Sequence, residues 1–288
     1  MAKPDQAHHL RELTKGLASG SFILRARKKA PPKIIAVASG RGGVGKSFLA
    51  LNFACIWASK RKNVILVDTD FAMGQLDYLL GFSPERTIQH IVEGKSSLED
   101  TMLLGPWGMK LVPGMAGLNG SPNFPSNFAR DLVPDIAMHD DWADIVLCDT
   151  ASGVSAPTVD VISCCDEIIL ITTPETGSVM DLYGMIKFLH GKFGKNLPRL
   201  NLVVNRSASR ADGRRVAKSI RDVTGRFLGQ GLNFLGQIPS ELAVEESVKK
   251  HTPLINHSPA SIASRSINEM SEFLLAEWSD PLREEPEN

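Results

Sequence analysis

Seven apolar runs punctuate the chain: Ile34–Ser39, Val64–Asp68, Lys110–Val112, Ile145–Asp149, Ile168–Thr172, Leu200–Asn205 and Phe234–Gly236. Several are continuous Val/Ile/Leu stretches with no alternation, the pattern of parallel strands covered on both faces. Between them, apolar residues recur at helical spacing near 46–60, 126–138, 178–193, 209–224 and 259–278. Strand–helix alternation of this kind predicts an α/β fold, a doubly wound, mostly parallel sheet flanked by helices. Ligands on such sheets bind at the carboxyl ends of the strands.

Ahead of this pattern, Ala7, Leu10, Leu13 and Leu17 fall at helical spacing, and the basic stretch from Arg25 ends in Pro31-Pro32. Proline pairs break helices and stiffen linkers. The chain therefore divides into a helical arm and basic linker (1–32), a domain (33–278) and an acidic tail (279–288).

Composition narrows the class. Apolar residues make up 43% of the 288 and charged residues 22%, as in an ordered globular protein. No apolar run reaches the ~18 residues of a membrane span, and the polar N-terminus lacks a secretory core. A cytoplasmic protein with reduced cysteines is expected; none of Cys55, Cys148, Cys164 and Cys165 forms a C-x-x-C pair, which disfavours zinc or iron–sulfur chemistry. The 32 basic and 32 acidic residues balance, so global charge argues for neither nucleic acid nor membrane. Arg206, Arg210, Arg214, Arg215, Lys218 and Arg221 form one local basic cluster, read as a solvated helix face rather than a DNA face.

The chemistry is concentrated in Gly40-Arg41-Gly42-Gly43-Val44-Gly45-Lys46-Ser47, which satisfies G-x-x-x-x-G-K-[ST] between a strand and a helix. Glycines let backbone amides wrap an anion, and the helix N-terminus adds its dipole. Lys46 suits the β- and γ-phosphates and Ser47 a Mg²⁺ ion. Asp149, ending an apolar strand, suits the Mg²⁺ shell. Asp68-Thr69-Asp70 ends another; Asp70 could orient an attacking water and Asp68 support the metal region, or both could be turn and cap residues.

The loop, the Asp-x-Asp strand end, Asp149-Thr150-x-x-Gly153, Pro174-Glu175 with Ser178 and Asp181, and Gly236–Glu241 with Val244 and Ser247-Val248 together resemble the deviant Walker A ATPases of the MinD/ParA class over residues 33–275. Asp5-Gln6-Ala7-His8-His9-Leu10-Arg11 is similar to the Asp-Gln-Ala-x-x-Leu-Arg element of flagellar-number regulators of the FlhG/FleN type.

The resemblance implies an ATPase with ATP and Mg²⁺ as ligands, slow and partner-stimulated, forming an ATP-dependent homodimer. It implies nucleotide contacts from Gly42, Gly43, Val44, Gly45, Lys46, Ser47, Phe48, Asn205, Arg206 and Pro239, with Asn205 reading adenine. Mg²⁺ falls to Ser47 and Asp149, and catalysis to Lys46, Asp70 and Arg41. Arg41 stands where the class has a signature Lys that reaches the partner's phosphates; the charge is kept but the geometry differs. Through Asp5, Gln6, Ala7, Leu10 and Arg11 the arm is expected to stimulate a signal-recognition-type flagellar GTPase, and a flagellar transcription regulator is a further implied partner.

Two alternatives stand beside this switch: a low-turnover adaptor that sequesters a transcription factor, and a ParA-like DNA- or cargo-positioning ATPase. Many of the class also bind membrane through a basic C-terminal helix, at the cytoplasmic face. Here Ile262, Ile267, Met270, Phe273, Leu274 and Trp278 read as a core-packing stripe, and the acidic tail after it is repelled by anionic lipid.

Overall fold

The computed structural model describes residues 31–114, 127–138 and 143–279. Eight strands form one sheet: β1 (Lys33–Ala38), β2 (Val64–Thr69), β3 (Leu103–Leu104), β4 (Lys110–Val112), β5 (Ile145–Thr150), β6 (Glu167–Thr172), β7 (Arg199–Ser207) and β8 (Asn233–Pro239). Their order is β3-β4-β2-β5-β1-β6-β7-β8. Every pairing is parallel except β3 with β4. All six residues of each of β2, β5 and β6 are buried, which is why these strands carry no polar alternation.

The helices are α1 (Lys46–Ser59), α2 (Leu76–Leu79), α3 (Ile88–Val92), α4 (Leu98–Thr101), α5 (Phe128–Met138), α6 (Ala156–Ile162), α7 (Thr176–Phe193), α8 (Arg210–Leu228), α9 (Leu242–Lys249), α10 (Leu254–His257) and α11 (Ile262–Ser279). One face of the sheet packs on α1 and α11, where Phe53 stacks on Trp57 at 5.2 Å and Trp278 meets Trp57 edge-on at 5.3 Å. The opposite face is covered in two parts, by α7 and α8 over β6 and β7, and by α5 and α6 over β2 and β5.

All seven expected strands are present, each within a few residues of its expected bounds. The sequence pattern misses β3, which is two residues long and antiparallel, and the short helices α2, α3, α4, α6, α9 and α10. Segments of four to eight residues complete too few turns to show a period. The apolar stripe of α11 splits in two. Ile267, Met270 and Leu274 are buried, whereas Ile262 and Phe273 are about half exposed, at 52% and 47%. The expected arm residues Asp5, Gln6, Ala7, Leu10 and Arg11, and the tail after Ser279, lie outside the described residues.

The order of the strands positions the site. β1 lies between β5 and β6, so the segments leaving β1 and β5 emerge side by side at the carboxyl edge. In register, Asp68 of β2 sits opposite Asp149 of β5. Three chemically loaded segments thus meet at one end of the sheet without any being adjacent in sequence.

Candidate functional site

The loop between β1 and α1 turns through Gly43 (φ 74°) and Gly45 (φ 100°), backbone conformations that side chains disfavour. Gly45 is the N-cap of α1 and supplies no capping side chain, and no acidic residue occupies the first turn. Helix N-terminal amides without a side-chain cap form a ready anion cradle. Gly40 has a different reason: a Cβ there would overlap the backbone of Asp181 and Leu182 in α7.

Lys46 is buried at the start of α1, its Nζ 3.4 Å from Oγ of Ser152 in the segment after β5. Burial lowers the affinity of its ammonium for the proton, while Asp149, Asp70 and Asp68 pull it back up. A buried cation facing an anion cradle has its charge to spend on the ligand. The Ser152 segment is itself tied down, since Gly153 N–H donates to the Ser39 carbonyl at 2.8 Å and the Thr150 hydroxyl to the Val37 carbonyl at 3.0 Å.

Asp149 is buried and accepts a hydrogen bond from the Ser47 side chain. Its other environment is incomplete: Oδ1 is buried and, among the described residues, has no hydrogen-bond partner. Burial pushes its carboxyl up to about 7, against the opposing pull of Ser47 and Lys46. An orphaned carboxylate oxygen beside a serine hydroxyl is the hard-oxygen donor set that Mg²⁺ takes, so Ser47 and Asp149 fit that ion.

Of the two readings open for Asp68, its hydrogen bonds fit the turn. Rather than facing a metal, its carboxylate accepts from three backbone amides, Asp70 at 3.1 Å, Gln75 at 3.0 Å and Leu76 at 3.2 Å. It folds the 70–76 segment around itself. Gly74 and Gly114 press so closely on it that a Cβ at either would come within 2.7 or 2.8 Å of the carboxyl. Burial, then the neighbouring Asp149, raise its carboxyl well above the usual carboxylate range. Asp70, half-buried at the head of this segment, accepts from Ala72 and Met73 amides at 3.3 and 3.1 Å, both through Oδ1. It is therefore a turn-closing residue, with Lys46 and Asp149 close enough to feel its charge.

Arg41 leaves the loop sideways. Its guanidinium lies over Gly177 and pairs with Asp181 at 3.2 Å and Glu175 at 3.7 Å, both of the same chain. Asn205, buried at the end of β7, donates from Nδ2 to the Val44 carbonyl and accepts at Oδ1 from the Arg206 amide, each at 2.8 Å. Arg206 is held at φ 54° by this arrangement. Beside it opens a cavity of about 570 Å³ that Gly45, Phe48, Asn205, Arg206 and Pro239 line together with α9.

Of the described residues expected at the site, Lys46, Ser47, Asp70 and Asp149 come together at the carboxyl edge, Asn205 holds the loop from its flank and Arg41 turns away to α7. The sequence did not foretell that the Ser152 hydroxyl meets Lys46, nor the three amides that claim Asp68. Glu241, quoted only within the Gly236–Glu241 stretch, proves to cap α11, its carboxylate accepting from the Ile262 and Ala263 amides at 3.4 and 2.8 Å. Only the acidic residues of the α7 start, quoted for their resemblance, hinted at the partners of Arg41.

Comparison with known proteins agrees with this geometry. Residues 35–254 match the family model described as the CobQ/CobB/MinD/ParA nucleotide binding domain. The chain is 32% identical over 234 residues to the antiactivator FleN of Pseudomonas aeruginosa, covering 81% of this chain and 83% of that protein. It is 27% identical over 249 residues to the flagellum site-determining protein YlxH of Helicobacter pylori, covering 86% and 83%. Its fold resembles that of the septum site-determining protein MinD of Pyrococcus horikoshii, solved with Mg-ADP, with a TM-score of 0.73 at 20% identity over 87% of this chain and 99% of that one.

Proposed function

The chain belongs to the CobQ/CobB/MinD/ParA nucleotide-binding family, and we propose that it is an ATP-hydrolysing dimerisation switch that regulates flagellar number or placement. The observation that carries this reading is the buried, unpartnered Oδ1 of Asp149 next to Ser47 and the uncapped start of α1. That arrangement asks for a metal-bound anion rather than for a neutral ligand. The relative named as a flagellum site-determining protein supplies the process, and the one named as an antiactivator the regulatory role.

In this reading the amides of Gly42, Gly43, Val44 and Gly45 hold the phosphates and Lys46 neutralises their charge. Bound at Ser47 and Asp149, Mg²⁺ would offset charge on the transferred phosphoryl group. Asp70 orients the attacking water, and Phe48, Asn205, Arg206 and Pro239 form the base pocket. Arg41 exchanges its pairing with Asp181 for the phosphates of a second copy bound face to face. The arm, through Gln6 and Arg11, stimulates a signal-recognition-type GTPase.

A low-turnover adaptor is the second reading, and the pairing of Arg41 with two acids of its own chain favours it. Phosphate release separates the two. The full chain with ATP and Mg²⁺ is expected to turn over slowly, and Lys46→Ala to lose both turnover and nucleotide binding. A peptide of residues 1–20 is expected to raise GTP hydrolysis by the cognate GTPase, and the Gln6→Ala peptide to fail. Unchanged ATP affinity in Lys46→Ala would remove the phosphate-loop assignment; a GTPase indifferent to the peptide would remove the arm's role and leave the switch.

A further inference from the structure

The sheet ends on β8, whose outer edge pairs with no other described strand. A groove of about 550 Å³ runs along that edge between α8 and α11. Its two walls differ in chemistry. On α11, Ile262 and Phe273 stand half exposed on either side of the buried Met270, although the rest of the helix's apolar stripe is packed into the core. On α8, Arg210 and Arg214 lie four residues apart on one face, and neither forms an ion pair with a described residue. Between them β8 carries one extra residue: its register with β7 passes from Leu202–Phe234 to Val203–Gly236, leaving Leu235 as a bulge.

An unpaired strand edge, an apolar shelf and two free guanidinium groups are the three elements that an extended peptide can satisfy together. Its backbone hydrogen-bonds to the edge, alternate side chains fall to opposite walls, and carboxylates meet the arginines. We infer that the β8 groove docks an extended segment of a partner protein, acidic and interspersed with apolar side chains, which adds to the edge of the sheet. Carboxylates of the segment face Arg210 and Arg214, and its apolar side chains cover Ile262 and Phe273. The mixed lining favours peptide over nucleic acid, because a phosphate backbone gains nothing from Ile262 and Phe273. Pro239 lines both this groove and the pocket beside Asn205, but Arg210, Arg214, Ile262 and Phe273 line only the groove, so its two walls can be altered apart from the nucleotide site.

The test uses the full chain as bait for a displayed library of random twelve-residue peptides. Enriched sequences are expected to carry net negative charge with at least two large apolar residues. Their affinity, read by fluorescence anisotropy, is expected to fall at least tenfold in Arg210→Glu/Arg214→Glu and severalfold in Phe273→Ser. Thermal unfolding and nucleotide titration of the same variants are expected to stay at the parent values, which excludes misfolding as the cause. Peptides without charge bias, or bound equally by the double variant, would overturn the inference. So would duplex DNA that binds with the same arginine dependence where no peptide does. If only a chain shortened after Ser279 binds the peptides, the groove belongs to the chain's own acidic tail, and a separate partner is excluded.

Discussion

Arg41 is held away from its own phosphate loop by Asp181, with Nε 3.2 Å from the carboxylate. Both side chains are nearly half exposed, so the pairing is worth about 0–1 kcal/mol, less than a bidentate guanidinium–phosphate contact. An Arg restrained this weakly exchanges partners readily. Arg41→Ala is expected to weaken ATP-dependent dimerisation more than nucleotide binding by the monomer, and Asp181→Asn to strengthen dimerisation a few-fold. Sedimentation with a non-hydrolysable ATP analogue, alongside nucleotide titration, reads both. Equal losses in the two assays for Arg41→Ala would confine its role to its own subunit.

Asn205 braces the loop from the other side. Removing its amide leaves the Val44 carbonyl without that bond and releases Arg206 from the contact that holds its positive φ. A lost buried hydrogen bond of this sort costs about 1–3 kcal/mol. Asn205→Ala should lower the melting temperature by several degrees and weaken nucleotide binding about tenfold. A variant that melts like the parent would show that the loop is held by other contacts.

Stability without nucleotide should depend on pH through Asp149. An unfolded aspartic acid releases its proton at about pH 3.9, whereas the folded carboxyl keeps it until about 7. Between those values the folded state holds the extra proton, so stability falls as pH rises through that window. Asp149→Asn removes one source of this slope; Asp68, raised in the same direction, leaves the rest. Melting in chelator from pH 5 to 8 should therefore decline more steeply for the parent than for Asp149→Asn, with the variant the more stable at pH 8. Parallel curves would contradict the orphaned-carboxylate account.

Asp70 closes a turn and, in the proposed reaction, also holds a water. Asn can close the same turn, because a side-chain carbonyl accepts from Ala72 and Met73 as a carboxylate does. Asp70→Asn should thus keep ATP affinity and the fold while turnover falls at least tenfold, the signature of an interaction made mainly in the transition state. Parent-like hydrolysis in Asp70→Asn would assign the water to another residue.

What was legible in the chain follows from how locally each feature is encoded. The phosphate loop is eight consecutive residues, and β2, β5 and β6 are runs buried on both faces, so both announce themselves. Asp149 was legible as a strand-end carboxylate. Its missing partner was not, because that depends on β2, β5 and the loop meeting in space. Asp68 shows the limit most clearly. Its spacing from Asp70 is equally good for a metal-supporting pair and for a turn. Only the folded path of residues 70–76 decides between them, bringing the Gln75 and Leu76 amides onto the same oxygen. The basic face of α8 was visible as a charge pattern. That it borders an open strand edge and two exposed apolar residues of α11 was not, since those lie more than forty residues away in sequence.

Gly40 leaves no room for a side chain between the end of β1 and the backbone of α7. With Asn205 pinning the opposite flank, one jaw of the nucleotide cleft is an abutment with no slack. The other jaw, residues 70–76 and 151–155, is held by hydrogen bonds: three amides to Asp68, Gly153 to Ser39 and Lys46 to Ser152. Any travel on loading and release is therefore expected on that second side, and a partner that must distinguish the two states is expected to touch that jaw or something leaning on it. Anything seated wholly on the α7 corner would feel a surface that scarcely changes shape.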